Sequence, residues 1–334
     1  MKILIIGNGP AGFYAAKRIR ALIPDSSVTI ADRNELPLYT KIRLPDFIAG
    51  KVEEKKLFLA KPEDYEKSGI ETHFGNVITY INAKEKKVIT SSCEILSYDK
   101  LVIATGAKAF RPIIKGVSED GVYTLRTIAD AKAIIGVSGS SGKAAVIGGG
   151  LLGIELANAL KSKGLKVDII EFFPRLLPRH LNDAESALLL KKIETPTFTF
   201  YLDRITTEII RRDGSLVLKT SRQDEIQADF AVVSAGIKTD TYLAEECGIK
   251  TEKGIVINSR FETSFPDIYA IGDCAQLDGR ISGLWMAAKE HGEALADILA
   301  GKMKSYVPSQ LNLTLKVEGV NLDEIRKEAL GRSA

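Results

Sequence analysis

Two glycine-rich segments of the same form constrain this chain more than any other feature of its sequence. Residues 7–12 read Gly-Asn-Gly-Pro-Ala-Gly and residues 148–153 read Gly-Gly-Gly-Leu-Leu-Gly, and each segment directly follows a short apolar run. In a strand–turn–helix unit, the first glycine permits the tight turn, the second lets a pyrophosphate approach the backbone, and the third allows the helix to pack closely on the strand. Two such fingerprints in series predict two dinucleotide sites, built on Gly7, Gly9 and Gly12 and on Gly148, Gly150 and Gly153.

The residues around each fingerprint repeat one pattern of strand, glycine turn, helix, strand and acidic residue. Continuous apolar runs of this length are typical of strands that are buried on both faces of a parallel sheet. We therefore expect an internal duplication of nucleotide-binding units. The predicted elements are a strand at 2–6, a helix from Pro10 to Ile23 and a strand at 28–31 before Asp32, then a strand at 143–147, a helix at 151–162 and a strand at 166–170 before Glu171.

The acidic residue that closes each second strand bears on the choice of dinucleotide. Asp32 and Glu171 both follow the last glycine of their fingerprint at a spacing of about 20 residues, as in dinucleotide-binding units generally. A carboxylate at this position accepts a hydrogen bond from a ribose 2′-hydroxyl and repels a 2′-phosphate. Phe172 and Phe173 follow Glu171, with no arginine directly after it, so the second site favours NADH over NADPH. Arg175, four residues after Glu171, keeps NADPH as an alternative coenzyme.

Composition excludes several other classes of function. A length of 334 residues suits two nucleotide-binding domains, and a net charge of +3 with interspersed basic and acidic residues does not indicate a nucleic-acid partner. The apolar runs are too short to span a bilayer, and the N-terminus leads straight into the first strand, which predicts a cytoplasmic protein without a membrane segment. Cys93, Cys247 and Cys274 are too widely spaced for a disulfide framework or a metal cluster.

Shorter patterns predict the remaining elements. The region 76–106 is rich in short β-type runs and indicates a small meander that returns to the main sheet, and the Gly/Ser-rich stretch 136–142 is typical of a surface loop. Further predictions are a helix at 183–192, strands at 198–202, 207–211, 216–219 and 228–234, an alternating strand at 312–319, and a helix at 321–330 with Asn321 as its N-cap.

Two more segments, together with the fingerprints, carry a family resemblance. Residues 263–275 place the pair Gly272-Asp273 directly after an apolar strand, and residues 104–107 read Ala-Thr-Gly-Ala. In this order along the chain, the four segments resemble the pyridine-nucleotide-dependent flavoprotein reductases, and the resemblance covers about residues 1–303. It implies that the first fingerprint binds FAD, that the second binds a nicotinamide dinucleotide, and that Asp273 hydrogen-bonds the ribityl chain of FAD.

The resemblance also implies a domain organisation. The fold class is α/β, with two Rossmann-like domains of three-layer ββα form. An FAD domain of residues 1–110 and 237–303 is expected to be split around an inserted NAD domain of residues 111–236. Residues 304–334 are expected to form a short C-terminal extension, in place of the longer third domain that members of this family normally carry.

Within the family, the chain resembles the NADH:rubredoxin oxidoreductase group and its relatives, the flavin domains of nitrite reductases and the ferredoxin reductases. The segment 38–50 resembles their Tyr-x-Lys/Arg-x-x-Leu stretch beside the flavin, which implies that Lys41 is a cation near FAD; the chain departs from that pattern at Ile42 and Pro45. Glu155 matches a glutamate that faces the flavin–nicotinamide junction and would position the nicotinamide for hydride transfer. The alternatives are a solvated surface lysine at 41 and, at 155, an acid that the helix dipole favours.

The fingerprints and the resemblance together imply two sets of cofactor-binding residues, with Lys41 and Glu155 as the candidate catalytic residues. Trp285 belongs to the first set as a flavin contact, with a core aromatic as its alternative reading. For FAD the set is Gly7, Gly9, Pro10, Ala11, Gly12, Asp32, Arg33, Lys41, Val77, Ala104, Thr105, Gly106, Gly272, Asp273 and Trp285, and for NADH it is Gly148, Gly150, Leu151, Leu152, Gly153, Glu171 and Gly236.

The resemblance implies an NADH-dependent flavoprotein reductase that passes electrons through FAD to a small redox protein, such as a rubredoxin or ferredoxin, or to a partner subunit. Relatives that reduce disulfides or peroxides carry a reactive cysteine near residues 38–50, and this chain has no cysteine before Cys93. Two alternatives stay open. One is a cofactor-binding subunit or redox sensor of a larger complex, and the other is a sulfur or peroxide reductase that uses Cys274.

Overall fold

The computed structural model of the protein describes residues 1–310 and 314–331. The chain divides into two compact units, and each unit is built from three separate segments. The first unit comprises Met1–Thr40, Phe58–Lys108 and Ile237–Leu311, and the second comprises Lys41–Leu57, Ala109–Gly236 and Asn312–Ala334.

The helices are numbered in chain order. They are α1 (Pro10–Leu22), α2 (Leu44–Ile48), α3 (Pro62–Lys67), α4 (Ile128–Ser138), α5 (Leu151–Ser162), α6 (Asp183–Ile193), α7 (Tyr242–Glu246), α8 (Trp285–Leu299) and α9 (Leu322–Gly331). Short 3-10 turns occur at Lys41–Arg43, Glu54–Lys56 and Gly272–Cys274.

The strands are numbered in the same way. They are β1 (Lys2–Ile6), β2 (Ser27–Asp32), β3 (Ile70–Phe74), β4 (Ile78–Asn82), β5 (Lys87–Thr90), β6 (Ile95–Ser97), β7 (Lys100–Ile103), β8 (Ala107–Ala109), β9 (Val122–Thr124), β10 (Lys143–Ile147), β11 (Lys166–Ile170), β12 (Phe198–Tyr201), β13 (Thr206–Arg212), β14 (Ser215–Thr220), β15 (Glu225–Ala228), β16 (Phe230–Val233), β17 (Ile237–Thr239), β18 (Ile255–Ile257), β19 (Ile268–Ala270) and β20 (Ala275–Leu277).

The first unit is built on a parallel sheet with strand order β19-β7-β1-β2-β3. β1 lies at its centre, pairing with β2 and β7, and residues 3–6 are buried, as the continuous apolar run predicted. A small antiparallel sheet, β4-β5-β6, contributes Ile78, Ile81 and Val88 to the same core cluster as α1 and α8. Antiparallel sheet, parallel sheet and helices therefore form the three predicted layers.

The helices α1 and α8 approach each other closely because small residues line their contact. A Cβ atom on Gly292 of α8 would lie only 2.3 Å from the carbonyl oxygen of Ala11 in α1. Any side chain at 292 would therefore push the two helices apart. The N-terminus of α1 carries the first glycine fingerprint, so this packing fixes the helix that the fingerprint opens.

The second unit repeats the arrangement. Its parallel sheet has the order β12-β11-β10-β16-β9, and its antiparallel sheet is β13-β14-β15. Ile209, Leu218 and Ile226 of the antiparallel sheet share a core cluster with Ala145 and Ile147 of β10. The helix α5 packs on β10 and β11, α2 packs on α4 and α5, and α9 packs on α6. The predicted α/β fold with two Rossmann-like units is confirmed.

The compact units differ from the expected domain boundaries in two places. Residues 41–57 were expected in the FAD domain, but they lie in the second unit because α2 packs on α4 and α5. The C-terminal residues were expected to form a separate extension from 304 onward, but the structure assigns 304–310 to the first unit and 314–331 to the second, where α9 packs on α6.

Two predicted elements need correction. The stretch 136–142 was expected to be a loop, but α4 extends through Ser138, so only its last residues connect to β10. Residues 314–319 were expected to form a strand and do not, while 312 and 313 of that prediction lie outside the described residues. Leu315 and Val317 are buried, so their alternation with polar residues reflects packing and not a ladder with a neighbouring strand.

Two further findings concern the described residues as a whole. No helix among them has both the length and the apolarity needed to cross a membrane. Within the same residues, no cluster of three or more histidine, cysteine, aspartate or glutamate side chains has the arrangement to hold a metal ion.

Candidate dinucleotide sites

The three glycines of the first fingerprint have different structural roles. Gly7 directly follows β1 with a φ of +116°, and a Cβ atom there would lie 2.2 Å from the carbonyl oxygen of Ala104. A Cβ atom on Gly12 would lie 2.0 Å from the carbonyl oxygen of Gly7. A Cβ atom on Gly9, by contrast, would meet nothing within 4 Å. The first and third glycines are therefore required by close packing, and the second leaves open space in front of the N-terminus of α1.

The second fingerprint repeats this division. Gly148 has a φ of +122°, and its Cβ atom would lie 2.3 Å from the carbonyl oxygen of Ser234. A Cβ atom on Gly153 would lie 2.0 Å from the carbonyl oxygen of Gly148, whereas one on Gly150 would meet nothing within 4 Å. The open space at Gly150 lies in front of the first turn of α5, which starts with Leu151 and Leu152.

Both helices begin with features that suit an anion. Gly9 and Gly150 are the N-cap residues of α1 and α5, and neither offers a side chain to bond the first N–H groups. Pro10 and Ala11 follow in α1, where proline occupies the first turn without removing a needed donor. Unsatisfied N–H groups at a helix N-terminus form an anion site. The open space and these donors fit the pyrophosphate of a dinucleotide in each unit.

The acidic residues that close β2 and β11 hold the glycine turns. The backbone N–H of Asn8 donates to Oδ2 of Asp32 at 2.6 Å, and the backbone N–H of Gly149 donates to Oε2 of Glu171 at 2.5 Å. The second oxygen of Glu171 accepts from the N–H of Phe173 at 2.8 Å. The sequence predicted that these carboxylates bind ribose, which stays a prediction; it did not indicate that each one fixes the residue after the first glycine of its fingerprint.

The Ala-Thr-Gly segment lies where the chain leaves the first unit. The N–H of Ala104 donates to the carbonyl oxygen of Ile6 at 2.8 Å, which places the segment beside the end of β1. The hydroxyl of Thr105 donates to the carbonyl oxygen of Asp240 at 2.6 Å, and the N–H of Asp240 donates to the carbonyl oxygen of Gly106 at 2.9 Å. The departing and returning segments are thus bonded to each other.

Asp240 is a residue that the sequence reasoning missed. Its buried carboxylate forms ion pairs with Arg33, which follows Asp32, and with Lys108 at 3.3 Å. Arg33 was expected to bind FAD, and the structure places its guanidinium on this carboxylate. Asp240 lies far along the chain from both Arg33 and Thr105, so no local pattern could have indicated these contacts.

The Gly272-Asp273 pair lies on a short turn beside α1. Gly272 has a φ of +75°, and a Cβ atom there would lie 2.9 Å from Cβ of Ala11. Its N–H donates to Nδ1 of His291 in α8 at 3.1 Å. The ring of His291 is buried among Phe261 and Tyr306, and burial lowers the pKa of His291 to about 4. Sequence reasoning assigned no role to His291, although its place on the apolar face of a helix was a signal of burial.

We expect the neutral His291 ring to make the protein acid-sensitive. Its folded-state pKa lies below the unfolded value near 6.5, so its contribution to stability is present above pH 6.5 and is lost as the pH falls toward 4. Between pH 7 and pH 5 the loss should be about 2 kcal/mol. Urea unfolding at both pH values measures it, and H291N, which keeps an acceptor without a titrating ring, should lose about 2 kcal/mol less. Equal losses in the two proteins would contradict this role.

The remaining predicted contact residues are more exposed. Trp285 is the first residue of α8 and packs partly against the core of the first unit. This position is compatible with both interpretations from the sequence, a flavin contact and a core aromatic. Val77 is 43 % exposed, and its carbonyl oxygen accepts from the N–H of Ser91 at 2.7 Å. Gly236 has a φ of +105° at the end of the middle segment of the second unit, and its carbonyl oxygen accepts from the N–H of Phe110 at 3.0 Å.

The two candidate catalytic residues lie in the same unit. Lys41 opens the 3-10 turn that leads into α2, and α2 packs on α5, the helix that carries Glu155. The carboxylate of Glu155 accepts from the backbone N–H of Lys316 at 2.9 Å. Burial raises the pKa of Glu155, against the opposing effect of Lys316. The sequence indicated Lys41 and Glu155 but not Lys316, which belongs to the C-terminal segment of the chain.

The cysteines do not form a reactive centre in the described residues. Cys274 is fully buried, its thiol donates to the carbonyl oxygens of Ile103 and Ile271, and burial raises its pKa. A thiol in this state is not a nucleophile, because the thiolate is the reactive form. Cys93 is exposed and Cys247 is half-buried.

Comparisons with known proteins identify the family of the chain. Residues 1–292 match the family model described as pyridine nucleotide-disulphide oxidoreductase. The chain is 34% identical over 96% of its length to a nitrite reductase [NAD(P)H] of Bacillus subtilis, covering 40% of that protein, and 33% identical over 96% to an NADH-rubredoxin oxidoreductase of Clostridium acetobutylicum, covering 80%.

Among solved structures, a NAD-dependent persulfide reductase from A. fulgidus is similar to this chain, with a TM-score of 0.85 and 29% sequence identity. The match covers 90% of this chain and 59% of the reductase chain. The chain spans about two fifths of the length of the first curated relatives that it matches. The family model covers most of the chain, and each glycine turn leaves open space in front of a helix N-terminus. The chain therefore belongs to the pyridine nucleotide-disulphide oxidoreductase family.

Proposed function

We propose that the protein takes hydride from NADH onto FAD and passes electrons to a small redox protein, such as a rubredoxin or ferredoxin, or to a partner subunit. The observation that carries this proposal is the pair of matching glycine turns, one in each unit. Each turn has open space at its second glycine, and each is held by an acidic residue at the end of the next strand. Such a pair suits two dinucleotides in one chain.

In the first unit, we assign FAD binding to the turn around Gly9 and to the Gly272–Asp273 segment. FAD supplies the conversion between two-electron and one-electron transfer when it is bound. The N–H groups at the start of α1 hold the pyrophosphate, and Asp273 bonds the ribityl chain. His291 fixes the backbone next to Asp273 through the N–H of Gly272.

In the second unit, we assign NADH binding to the turn around Gly150 and to Glu171. The N–H groups at the start of α5 hold the pyrophosphate. Each oxygen of Glu171 accepts one backbone N–H, and the remaining lone pairs accept a hydrogen bond from the ribose 2′-hydroxyl. With NADH bound, the Glu155 carboxylate would orient the nicotinamide ring. Lys41 would supply a cation beside a bound flavin, where a positive charge favours negative charge on the ring.

The acceptor is proposed from the relatives. One of them is named for NADH and rubredoxin and another for NAD(P)H and nitrite, and the Clostridium protein is covered over 80% of its length. A small one-electron protein matches the chemistry of a flavin that has received two electrons from NADH. A partner subunit is the second candidate acceptor, because another relative is named an assimilatory nitrate reductase electron transfer subunit.

Anaerobic stopped-flow absorbance tests the proposal. Protein reconstituted with FAD and mixed with NADH should lose its visible flavin absorbance within about a second, since kcat values of enzymes are typically about 1–10³ s⁻¹. Reoxidation by rubredoxin, ferredoxin and ferricyanide then identifies the acceptor class. If both nucleotides bind but NADH does not reduce the flavin absorbance, the proposed reductase function is wrong, and a cofactor-binding subunit or redox sensor is supported.

Alkylation tests the sulfur-reductase alternative, which the likeness to a persulfide reductase keeps relevant. We expect iodoacetamide to modify the exposed Cys93 in the native protein and to leave the buried Cys274 unmodified. The rate of flavin reduction by NADH should therefore be unchanged. Peptide mass spectrometry locates the label. A loss of activity that follows the labelling of Cys274 would favour sulfur chemistry.

A further inference from the structure

The C-terminal residues 314–331 are anchored to the second unit. Leu315 and Val317 are buried on either side of the exposed Lys316. In α9, Leu322, Ile325 and Ala329 are buried, and α9 packs on α6. Lys192 of α6 and Glu328 of α9 form an ion pair at 3.2 Å. The segment is therefore held on both sides of Lys316, which fixes where that residue lies.

Lys316 contacts both elements that carry the candidate catalytic residues. Its backbone N–H donates to Oε1 of Glu155 at 2.9 Å, and its side-chain Nζ donates to the carbonyl oxygen of Ile42 at 2.6 Å. Ile42 lies inside the 3-10 turn that begins with Lys41. One residue of the C-terminal segment thus joins the α5 carboxylate to the turn of Lys41.

The charges around Glu155 come from two elements. Asp46 of α2 faces it with a like charge, and Lys316 faces it with an opposite charge and an N–H donor. Arg43 forms an ion pair with Asp46 at 3.6 Å and so offsets part of that like charge. Because burial and Asp46 both raise the pKa of Glu155, Lys316 is the neighbour that favours its ionised form.

We propose that Lys316 is a positioning residue of the hydride-transfer site, which holds the Glu155 carboxylate in one orientation and fixes the turn of Lys41. This inference rests on the proposed function, since it gives the two contacts a role in NADH oxidation. A carboxylate that accepts a backbone N–H has a restricted set of rotamers, and a turn whose carbonyl is bonded has a restricted position. Small displacements at a reacting centre change rates strongly. The C-terminal segment then contributes to the geometry of the hydride-transfer site.

Kinetics of three variants test the role. K316M keeps the apolar stem and the backbone N–H but removes Nζ, K316R retains a charged donor, and K327M changes an exposed lysine of α9 as the matched control. In anaerobic stopped-flow experiments with NADH, we expect flavin reduction to slow about tenfold in K316M, to stay near the wild-type rate in K316R, and to be unchanged in K327M.

The pH profile separates positioning from packing. Rates should fall as Glu155 becomes protonated, and removal of the Lys316 charge disfavours the ionised form. The acidic limb of the profile in K316M should therefore move to higher pH by about half a unit, and it should not move in K327M. In an E155Q background, K316M should cause no further shift, because the group through which it acts has been neutralised.

Hydrogen exchange provides a readout that needs no cofactor. Without the Nζ bond to Ile42, amide exchange in the peptide covering residues 41–51 should be faster in K316M than in the wild type and K327M. If NADH fails to bleach the wild-type flavin, the proposed function fails, and this exchange measurement still shows whether Lys316 holds the turn. Identical rates, pH profiles and exchange in K316M and K327M would overturn the proposal, as would a K316M defect that K316R does not restore.

Discussion

Replacement of Gly150 by valine is expected to abolish reduction of the flavin by NADH while the protein stays folded. A Cβ atom at this N-cap meets nothing within 4 Å, and the backbone there is extended, so valine fits the apo structure. The change in stability should stay within about 1 kcal/mol, as for other N-cap substitutions. The side chain would fill the space needed by the pyrophosphate, and each charged hydrogen bond lost there is worth about 1.5–3 kcal/mol. Calorimetric titration with NADH should show affinity at least about 100-fold weaker.

Gly153→Ala is the matched control, because it adds one methyl group on the packed side of the same turn. Its Cβ atom would lie 2.0 Å from the carbonyl oxygen of Gly148, so the helix and the strand must separate. We expect a loss of about 3 kcal/mol of stability, typical of strong overpacking. Urea unfolding distinguishes the two variants. If G150V lost as much stability as G153A, or bound NADH normally, the different roles assigned to the two glycines would be wrong.

Replacement of Glu171 by glutamine is expected to remove most of the preference for NADH over NADPH. At about 4 Å and an effective dielectric of 20, a carboxylate repels each unit of phosphate charge by about 4 kcal/mol, and glutamine removes that repulsion. Part of this energy is lost to relaxation and screening, so the preference should fall about 100-fold. Arg175, which left NADPH open on sequence grounds, forms an ion pair with Asp183 at 2.5 Å. The ratio of the flavin reduction rate to the dissociation constant, measured with each coenzyme, gives the preference.

A second substitution should strengthen the change. Phe172 is 57 % exposed directly after Glu171, so F172R adds a cation near the expected phosphate without removing a buried side chain. The double variant E171Q/F172R should prefer NADPH. Thermal unfolding checks that the turn remains intact in both proteins. Unchanged preference in E171Q, with the fold preserved, would show that Glu171 does not face the ribose.

The sequence was sufficient for the parts of the site that depend on local spacing. The different roles of Gly7, Gly9 and Gly12 follow from one strand–turn–helix geometry, and the structure shows the close contacts of the first and third and the open space at the second. The strand β1 and the helix α5 were also predicted closely, because their apolar runs and glycine boundaries are local.

The contacts that sequence reasoning missed join residues that are distant along the chain. His291 bonds Gly272 from another element, Asp240 bonds Thr105 from the returning segment, and Lys316 bonds Glu155 from the C-terminal segment. No periodicity or motif in one sequence encodes such pairs, because they depend on how separate elements pack. The strand predicted at 312–319 was wrong over its described residues, 314–319, for a related reason. An alternation of buried and exposed residues also arises in a segment that packs without a neighbouring strand.

The bond from Gly149 to Glu171 links coenzyme choice to the folding of the second unit. The same carboxylate that would reject a 2′-phosphate satisfies the buried N–H of Gly149 and the N–H of Phe173. A change at 171 to a residue without an acceptor leaves those donors unbonded, at a cost of about 1–3 kcal/mol for each one buried. A route to NADPH specificity that removes both side-chain oxygens at 171 must therefore place another acceptor beneath the glycine turn before, or together with, the loss of the charge.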